Sequence, residues 1–230
     1  MSRKLVLFDV DGTLITRCRV HEESFSVAFR KVLGIELGEK DTGSAGQTDR
    51  KIVTELMRKK GLDEKTIRSG VGHVFAAMSK HVEGNIKKDN SFHEIPHVME
   101  LLVELEKRGD ILGLVTGNVE KIARLKLQKL GLLDFFEVGA FGNTSEKRSD
   151  LAMKAIKGAE RKFKTKIDKK DVFVIGDTPR DIESGKETGV RTIAMATGPF
   201  TLFELKKHNP DYAFADFSEK DKIVQAMHKD

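Results

Sequence analysis

The sequence predicts an α/β protein, a parallel sheet covered by helices on both faces, with a helical unit inserted after the first strand. Two observations carry this reading. Short apolar runs recur along the 230 residues, separated by segments whose apolar residues follow a helical period. Strands alternating with helices of this length build βαβ units, whose parallel strands are buried on both faces. The second observation is a stretch from about Thr16 to about Lys88 that carries helical patterns alone. Helices with no strand partner do not extend a parallel sheet, so this stretch reads as a separate unit.

Taken in order, LVLFDV, starting at Leu5, is the first strand. Three helices follow, marked by Phe25, Ala28, Phe29, Val32 and Leu33, then Ile52, Val53, Leu56 and Met57, then Ile67, Val71, Val74, Phe75, Met78 and Val82. Val98, Leu101, Leu102 and Leu105 fall at i, i+3, i+4 and i+7 and lead into the strand ILGLVT, which ends at Thr116. EVGAF is the next strand, followed by a helix through Leu151, Ala152, Ala155, Ile156 and Ala159. DVFVIG, TIAMAT and DYAFAD complete the sheet. Gly185 and Gly189 in ESGKETGV read as glycines at a helix C-terminus before a strand, in preference to a phosphate loop. Residues 1–15 and 89–230 are thus the expected core, and 16–88 the expected helical insert.

Composition narrows the function classes. Hydrophobic residues make up 39% and charged residues 33%, values of a globular domain and not of a disordered chain. The net charge of +5 comes from 41 basic and 36 acidic residues in mixed order. Even the densest basic stretch, ERKFKTKIDKKD, is broken by Glu160, Asp168 and Asp171 and has few aromatics, so a solvated surface is expected and no nucleic-acid partner. The lone Cys18 fits a reducing compartment. The apolar run Leu5 to Phe8 is cut by Asp9, too early for a signal-peptide core or a membrane span. A cytoplasmic protein with no membrane partner is expected. His73 and His81 lie eight positions apart and suit polar or capping roles better than a zinc pair.

The polar residues at the strand ends carry the chemistry. A turn at DG accounts for Asp11 and Gly12 but leaves Asp9 unexplained. A carboxylate at the apolar end of a strand has a desolvation cost that a hydrogen bond, a cation or a metal must offset. Thr116, Gly117 and Asn118 end the second core strand, Asp177 and Asp181 follow DVFVIG, and Lys147 and Arg148 precede a helix. In open α/β sheets such groups converge at the carboxyl ends of the strands. Crowded carboxylates repel, and a hard divalent ion such as Mg²⁺ relieves the repulsion. A free carboxylate among them can attack phosphorus, while a second acid protonates the leaving oxygen and later deprotonates water. A threonine hydroxyl, backbone amides and a cation would hold the phosphoryl oxygens. A purely structural Asp9, paired with the cation near position 148, would not explain Asp11 and Asp177 at the same edge.

DVDGT, VTGN, a basic residue before a helix and GDTPRD, in that order, resemble the four motifs of the haloacid dehalogenase superfamily. The resemblance covers the whole chain, because the insert resembles that superfamily's alpha-helical C1-type cap. It implies a Rossmann-like doubly wound sheet and a Mg²⁺-dependent phosphatase, similar to phosphoglycolate phosphatase, that hydrolyses a small phosphate monoester through an aspartyl-phosphate. By position it implies Asp9 as nucleophile and metal ligand, and Asp11 as general acid/base whose backbone carbonyl faces the metal. It implies Thr116 as the phosphoryl-binding hydroxyl, with Gly117 and Asn118 offering amides, and Asp177 and Asp181 as the metal-site acids. The third motif is most often a lysine in a KPDPA-like setting; RSDLA stands here, which makes Arg148 the phosphate-neutralising cation and Lys147 its reserve. An acid two residues after the nucleophile separates the chain from the dehalogenase and ion-pumping branches and narrows the reading to phosphoryl transfer. GQTD at 46–49 reads equally as a helix N-cap through Thr48 and as the insert's substrate contact. The implied partner is a small phosphorylated metabolite. A sugar phosphomutase of the same fold and a non-catalytic phospho-accepting signalling module are the alternatives, and the module would lack a helical insert.

Overall fold

The computed structural model describes residues 3–38, 41, 43 and 45–229. Residues 1 and 2 of the expected core, 39, 40, 42 and 44 of the expected insert, and 230 lie outside the described residues. Each apolar run of the sequence forms a strand: β1 (Leu5–Phe8), β2 (Ile111–Thr116), β3 (Val138–Phe141), β4 (Val172–Gly176), β5 (Arg191–Met195) and β6 (Tyr212–Phe214). They form one sheet in the order β3-β2-β1-β4-β5-β6, all parallel. The chain winds outward from β1 in one direction and then in the other, which makes this a doubly wound sheet.

Every residue of β1, β2 and β4 is buried, as their near-continuous apolar sequences require. Side chains alternate between the two faces. Val6, Phe8, Leu112, Leu114, Phe173 and Ile175 point to one core, Leu5, Leu7, Ile111, Val115, Val172 and Val174 to the other. Helices α4 (Val98–Lys107), α5 (Glu120–Lys129) and α9 (Lys220–His228) cover the first face. Helix α6 (Arg148–Phe163) covers the second, with α7 (Pro179–Thr188) and α8 (Leu202–Lys206) packed towards the β5 edge.

Between β1 and α4 lie α1 (Arg19–Leu33), α2 (Asp49–Lys59) and α3 (Glu64–Asn85), the three expected helices. The chain leaves and returns along one path: Thr16 N donates to His93 O at 2.9 Å and Ile95 N to Leu14 O at 2.9 Å. Val53, Met57 and Met78 of these helices join the same buried cluster as Phe8 of β1 and Ile122 and Leu127 of α5. Strand β1 is shorter than LVLFDV because the Val10 carbonyl turns to accept from the amides of Leu14 and Ile15 at 2.9 and 3.1 Å. The two glycines of ESGKETGV have different jobs. Gly189 closes α7 in the left-handed region at φ 71°. Gly185 lies in the last turn of α7, where its carbonyl accepts from the Gly189 amide and a Cβ would stand 2.2 Å from Thr192 Cγ2 of β5, so the close packing of helix on strand requires glycine.

Candidate active site

Register brings the acids together. Phe8 stands between Leu114 and Ile175, and the next amide, Asp9 N, donates to Ile175 O at 2.9 Å. The ends of β1, β2 and β4 therefore place Asp9, Thr116 and Asp177 side by side at the point where the winding reverses, the crevice of an open α/β sheet. Gly12 turns the chain there at φ 82°, and a Cβ on it would stand 2.3 Å from Asp177 Oδ2, so only glycine fits.

Asp9, Asp177 and Asp181 are buried and offer oxygens within 4.8 Å of one another. Arg148, the first residue of α6 and also buried, places Nη2 2.7 Å from Asp9 Oδ1 and 2.6 Å from Asp181 Oδ1. Burial pushes the Asp9 carboxyl up to about 6 against the pull of Arg148, with the charges of Asp181 and Asp11 adding to the rise. Burial, then the charges of Asp9 and Asp181, raise Asp177 well above the carboxylate range. Burial opposes the Arg148 charge, but Asp181 and Asp9 outweigh it and hold the guanidinium above its usual value. Asp177 Oδ1 accepts from Thr13 Oγ1 at 2.9 Å. Asp181 is aimed by a capping box at the start of α7, accepting from Thr178 N at 3.1 Å and Thr178 Oγ1 at 2.7 Å. The donor set is all oxygen and carries more negative charge than Arg148 balances, so it suits a hard divalent cation.

Asp11 faces the other way. Its side chain is 28% exposed, and Lys126 Nζ reaches its two oxygens at 2.7 and 2.9 Å. Asn118 Nδ2 donates to Asp11 Oδ2 at 2.7 Å. Burial works against the Asp11 charge, but the Lys126 ammonium, helped by the Asn118 hydrogen bond, outweighs it and holds the carboxyl below its usual value. Thr116 is fully buried, its Oγ1 accepting from Asn118 N at 3.2 Å and Nδ2 at 2.7 Å. Of the two basic candidates, Arg148 enters the cluster, whereas Lys147 is the exposed N-cap residue of α6. Thr48 caps α2, accepting from Lys51 N at 3.2 Å, and its Oγ1 donates to Glu146 O at 3.3 Å. The segment around it lies directly on the site. Asp49 N donates to Gly117 O at 2.7 Å, Arg148 Nη1 donates to Gly46 O at 3.3 Å, and a Cβ on Gly117 would stand 2.3 Å from Gln47 O.

Three site neighbours were not legible as such: Lys126, His21 and Asp49. Lys126 did leave a signal, because with Ile122, Ala123 and Leu127 it occupies the buried stripe of α5, where a lysine is out of pattern.

Fold and site together define a Rossmann-like α/β protein with an acidic centre at its topological switch point. A model of the family described as "Haloacid dehalogenase-like hydrolase" matches residues 6–195. The chain belongs to that family and is a hydrolase of it. It is 26% identical over 231 residues to pyrophosphatase PpaX of Oceanobacillus iheyensis, covering 97% of this chain and 98% of that protein. It is 24% identical over 227 residues to phosphoglycolate phosphatase of Aquifex aeolicus, covering 96% of each. A crystal structure of a hydrolase from Pseudomonas syringae shares the fold with a TM-score of 0.70 at 19% identity, over 96% of this chain and 99% of that one. Among the described residues no helix is long and apolar enough to cross a membrane.

Proposed function

We propose that this hydrolase is a Mg²⁺-dependent phosphatase that cleaves a small phosphate monoester through an aspartyl-phosphate on Asp9. The observation that carries the reading is Asp9 itself, a buried carboxylate grouped with Asp177 and Asp181 and flanked by a guanidinium at 2.7 Å. The names of the phosphatase relatives support it. Asp9, Asp177 and Asp181, with the Asp11 backbone carbonyl, would hold the ion, which when bound supplies charge neutralisation for the phosphoryl group. Arg148 and Thr116, with the amides of Gly117 and Asn118, orient the phosphoryl oxygens for attack by Asp9. Asp11 passes a proton to the leaving oxygen and takes one from water when the phosphoenzyme is hydrolysed. Residues 16–88 act as a cap over a core of 1–15 and 89–230, and the Gly46–Asp49 segment closes the site around a small metabolite.

Chelation removes turnover and Mg²⁺ restores it if this is right, while Ca²⁺, with its larger and looser shell, inhibits. Full phosphate release in excess chelator overturns the reading. Inorganic pyrophosphate is a second substrate reading, favoured by the lowered Asp11 carboxyl. A departing phosphate needs a proton far less than a departing alkoxide does. Turnover of pyrophosphate against phosphoglycolate decides between them.

A further inference from the structure

Lys126 Nζ, on a side chain with no exposed surface, meets both oxygens of Asp11, Asn118 Oδ1 at 2.7 Å and His21 Nδ1 at 2.9 Å. An ammonium has three hydrogens, and these acceptors use all of them. Lys126 therefore has no donor left for a substrate. The chain of contacts continues beyond it. Because His21 Nδ1 accepts from the ammonium, Nε2 is the nitrogen that carries hydrogen towards Asp49 Oδ2 at 3.2 Å, and the same Oδ2 accepts from Val119 N at 2.7 Å. His21 and Asp49 belong to α1 and α2, whereas Lys126, Asn118 and Val119 belong to α5 and the β2 end. The network is complete only when the start of α2 rests on that end, where Asp49 N also meets Gly117 O.

We infer that Lys126 is a positioning residue that fixes the Asp11 carboxylate as the proton acceptor for phosphoenzyme hydrolysis, and that His21 and Asp49 make this fixation depend on the docking of α2. The inference rests on the proposed base role of Asp11. In that step the water oxygen bonds to phosphorus and the water proton passes to Asp11. The bond from phosphorus to the Asp9 oxygen breaks, its electron pair returning to the Asp9 carboxylate. Asp11 accepts from Lys126, one N–H shared between its two oxygens, and from Asn118 Nδ2, and these contacts set its plane and leave its remaining lone pairs to the open side.

The test uses p-nitrophenyl phosphate with Mg²⁺, because its leaving group departs without a proton. For this ester kcat/KM reports transfer to Asp9, and kcat reports hydrolysis when that step is slow. Lys126→Met should lower kcat about 30- to 100-fold, part of the range a general base contributes. KM should fall with it, kcat/KM should stay within about threefold, and a burst of nitrophenol equal to the enzyme should appear. Asp49→Asn keeps the Lys126–Asp11 pair and α2's own N-cap, so it tests the same coupling in a protein that folds. It should show the same pattern at about 3- to 10-fold. An equal fall of kcat and kcat/KM without a burst in either variant, or an unchanged kcat, overturns the inference. Asp11→Asn separates the two levels: a burst with collapsed kcat upholds Asp11 as the base, and its absence removes that role and the inference with it.

Discussion

Asp9 and Asp11 are two residues apart and have opposite electrostatic surroundings. Asp9 is buried among carboxylates with its carboxyl at about 6, and Asp11 is held low by an ammonium. A group whose folded value lies above its unfolded value near 4 costs stability as pH rises from about 4 to about 6, and the cost persists above that window. For a carboxyl as buried as Asp9 this is on the order of 2 kcal/mol. Asp11 has the opposite sign, its contribution being present above about 4 and lost as pH falls further. In chelator, Asp9→Asn should therefore melt about 5 °C higher than the parent at pH 7.5, with the gap closing towards pH 4. Melting curves across that range check it, and a lower melting point at pH 7.5 would contradict the account. The same variant should lose at least about 10⁴ in kcat, since the amide keeps the shape and removes the proposed nucleophile. Both acids were legible in DVDGT, as was the convergence with Asp177, because groups at the carboxyl ends of parallel strands meet at one edge of the sheet. Their different surroundings were not legible: they depend on Lys126, inside α5 eight residues beyond Asn118, and a sequence does not show which side chain reaches a given carboxylate.

The elements divide along the same line. Strands and the three inserted helices follow from apolar periodicity, which is local, and they appear where that periodicity placed them. The docking of α2 on the end of β2 is a long-range contact between polar backbones, with no periodicity to mark it, so GQTD stayed open between a helix cap and a substrate contact. Two glycines test this contact from opposite sides. A Cβ at Gly117 would stand 2.3 Å from Gln47 O, so Gly117→Ala should push the α2 start away, break the Asp49 N–Gly117 O bond and lower kcat/KM about 10- to 100-fold. Proteolysis within residues 45–48 should quicken in parallel. Gly84, inside α3, has nothing within 4 Å of a built Cβ. Gly84→Ala should add about 0.5 to 1 kcal/mol of stability and leave turnover as it was. Denaturant titration beside steady-state kinetics reads both, and a Gly117→Ala enzyme with parental kinetics would show that docking of α2 does not matter to the reaction.

At the scale of the molecule, the helical insert and the sheet share one buried cluster, which limits how the insert can be tested as a selector of substrates. Deleting α1 to α3 would remove Val53, Met57 and Met78 from the buried cluster they share with Ile122 and Leu127 of α5, which α3 packs against, so a dead deletion variant would report lost packing and nothing about selectivity. Exchange is the informative experiment. The two connections run side by side, joined by the Thr16–His93 and Leu14–Ile95 hydrogen bonds, so a cut at residues 16 and 88 replaces the insert while keeping that tie. With Gly46 to Asp49 resting on Arg148 and Gly117, the leaving group must fit between the insert and the strand ends. Small esters should be turned over, and a phosphoserine peptide should be worse by at least about 10³ in kcat/KM, because the chain beyond the phosphate cannot be enclosed. Chimaeras carrying the insert of the pyrophosphatase PpaX or of the phosphoglycolate phosphatase relative should shift the preference between pyrophosphate and phosphoglycolate by about tenfold or more towards that of the donor. Asp9→Asn should abolish turnover in every chimaera, since the strand ends that deliver the proposed nucleophile are unchanged. A chimaera that folds, turns over both substrates and keeps the parental preference would return specificity to the sheet and leave the insert as packing alone.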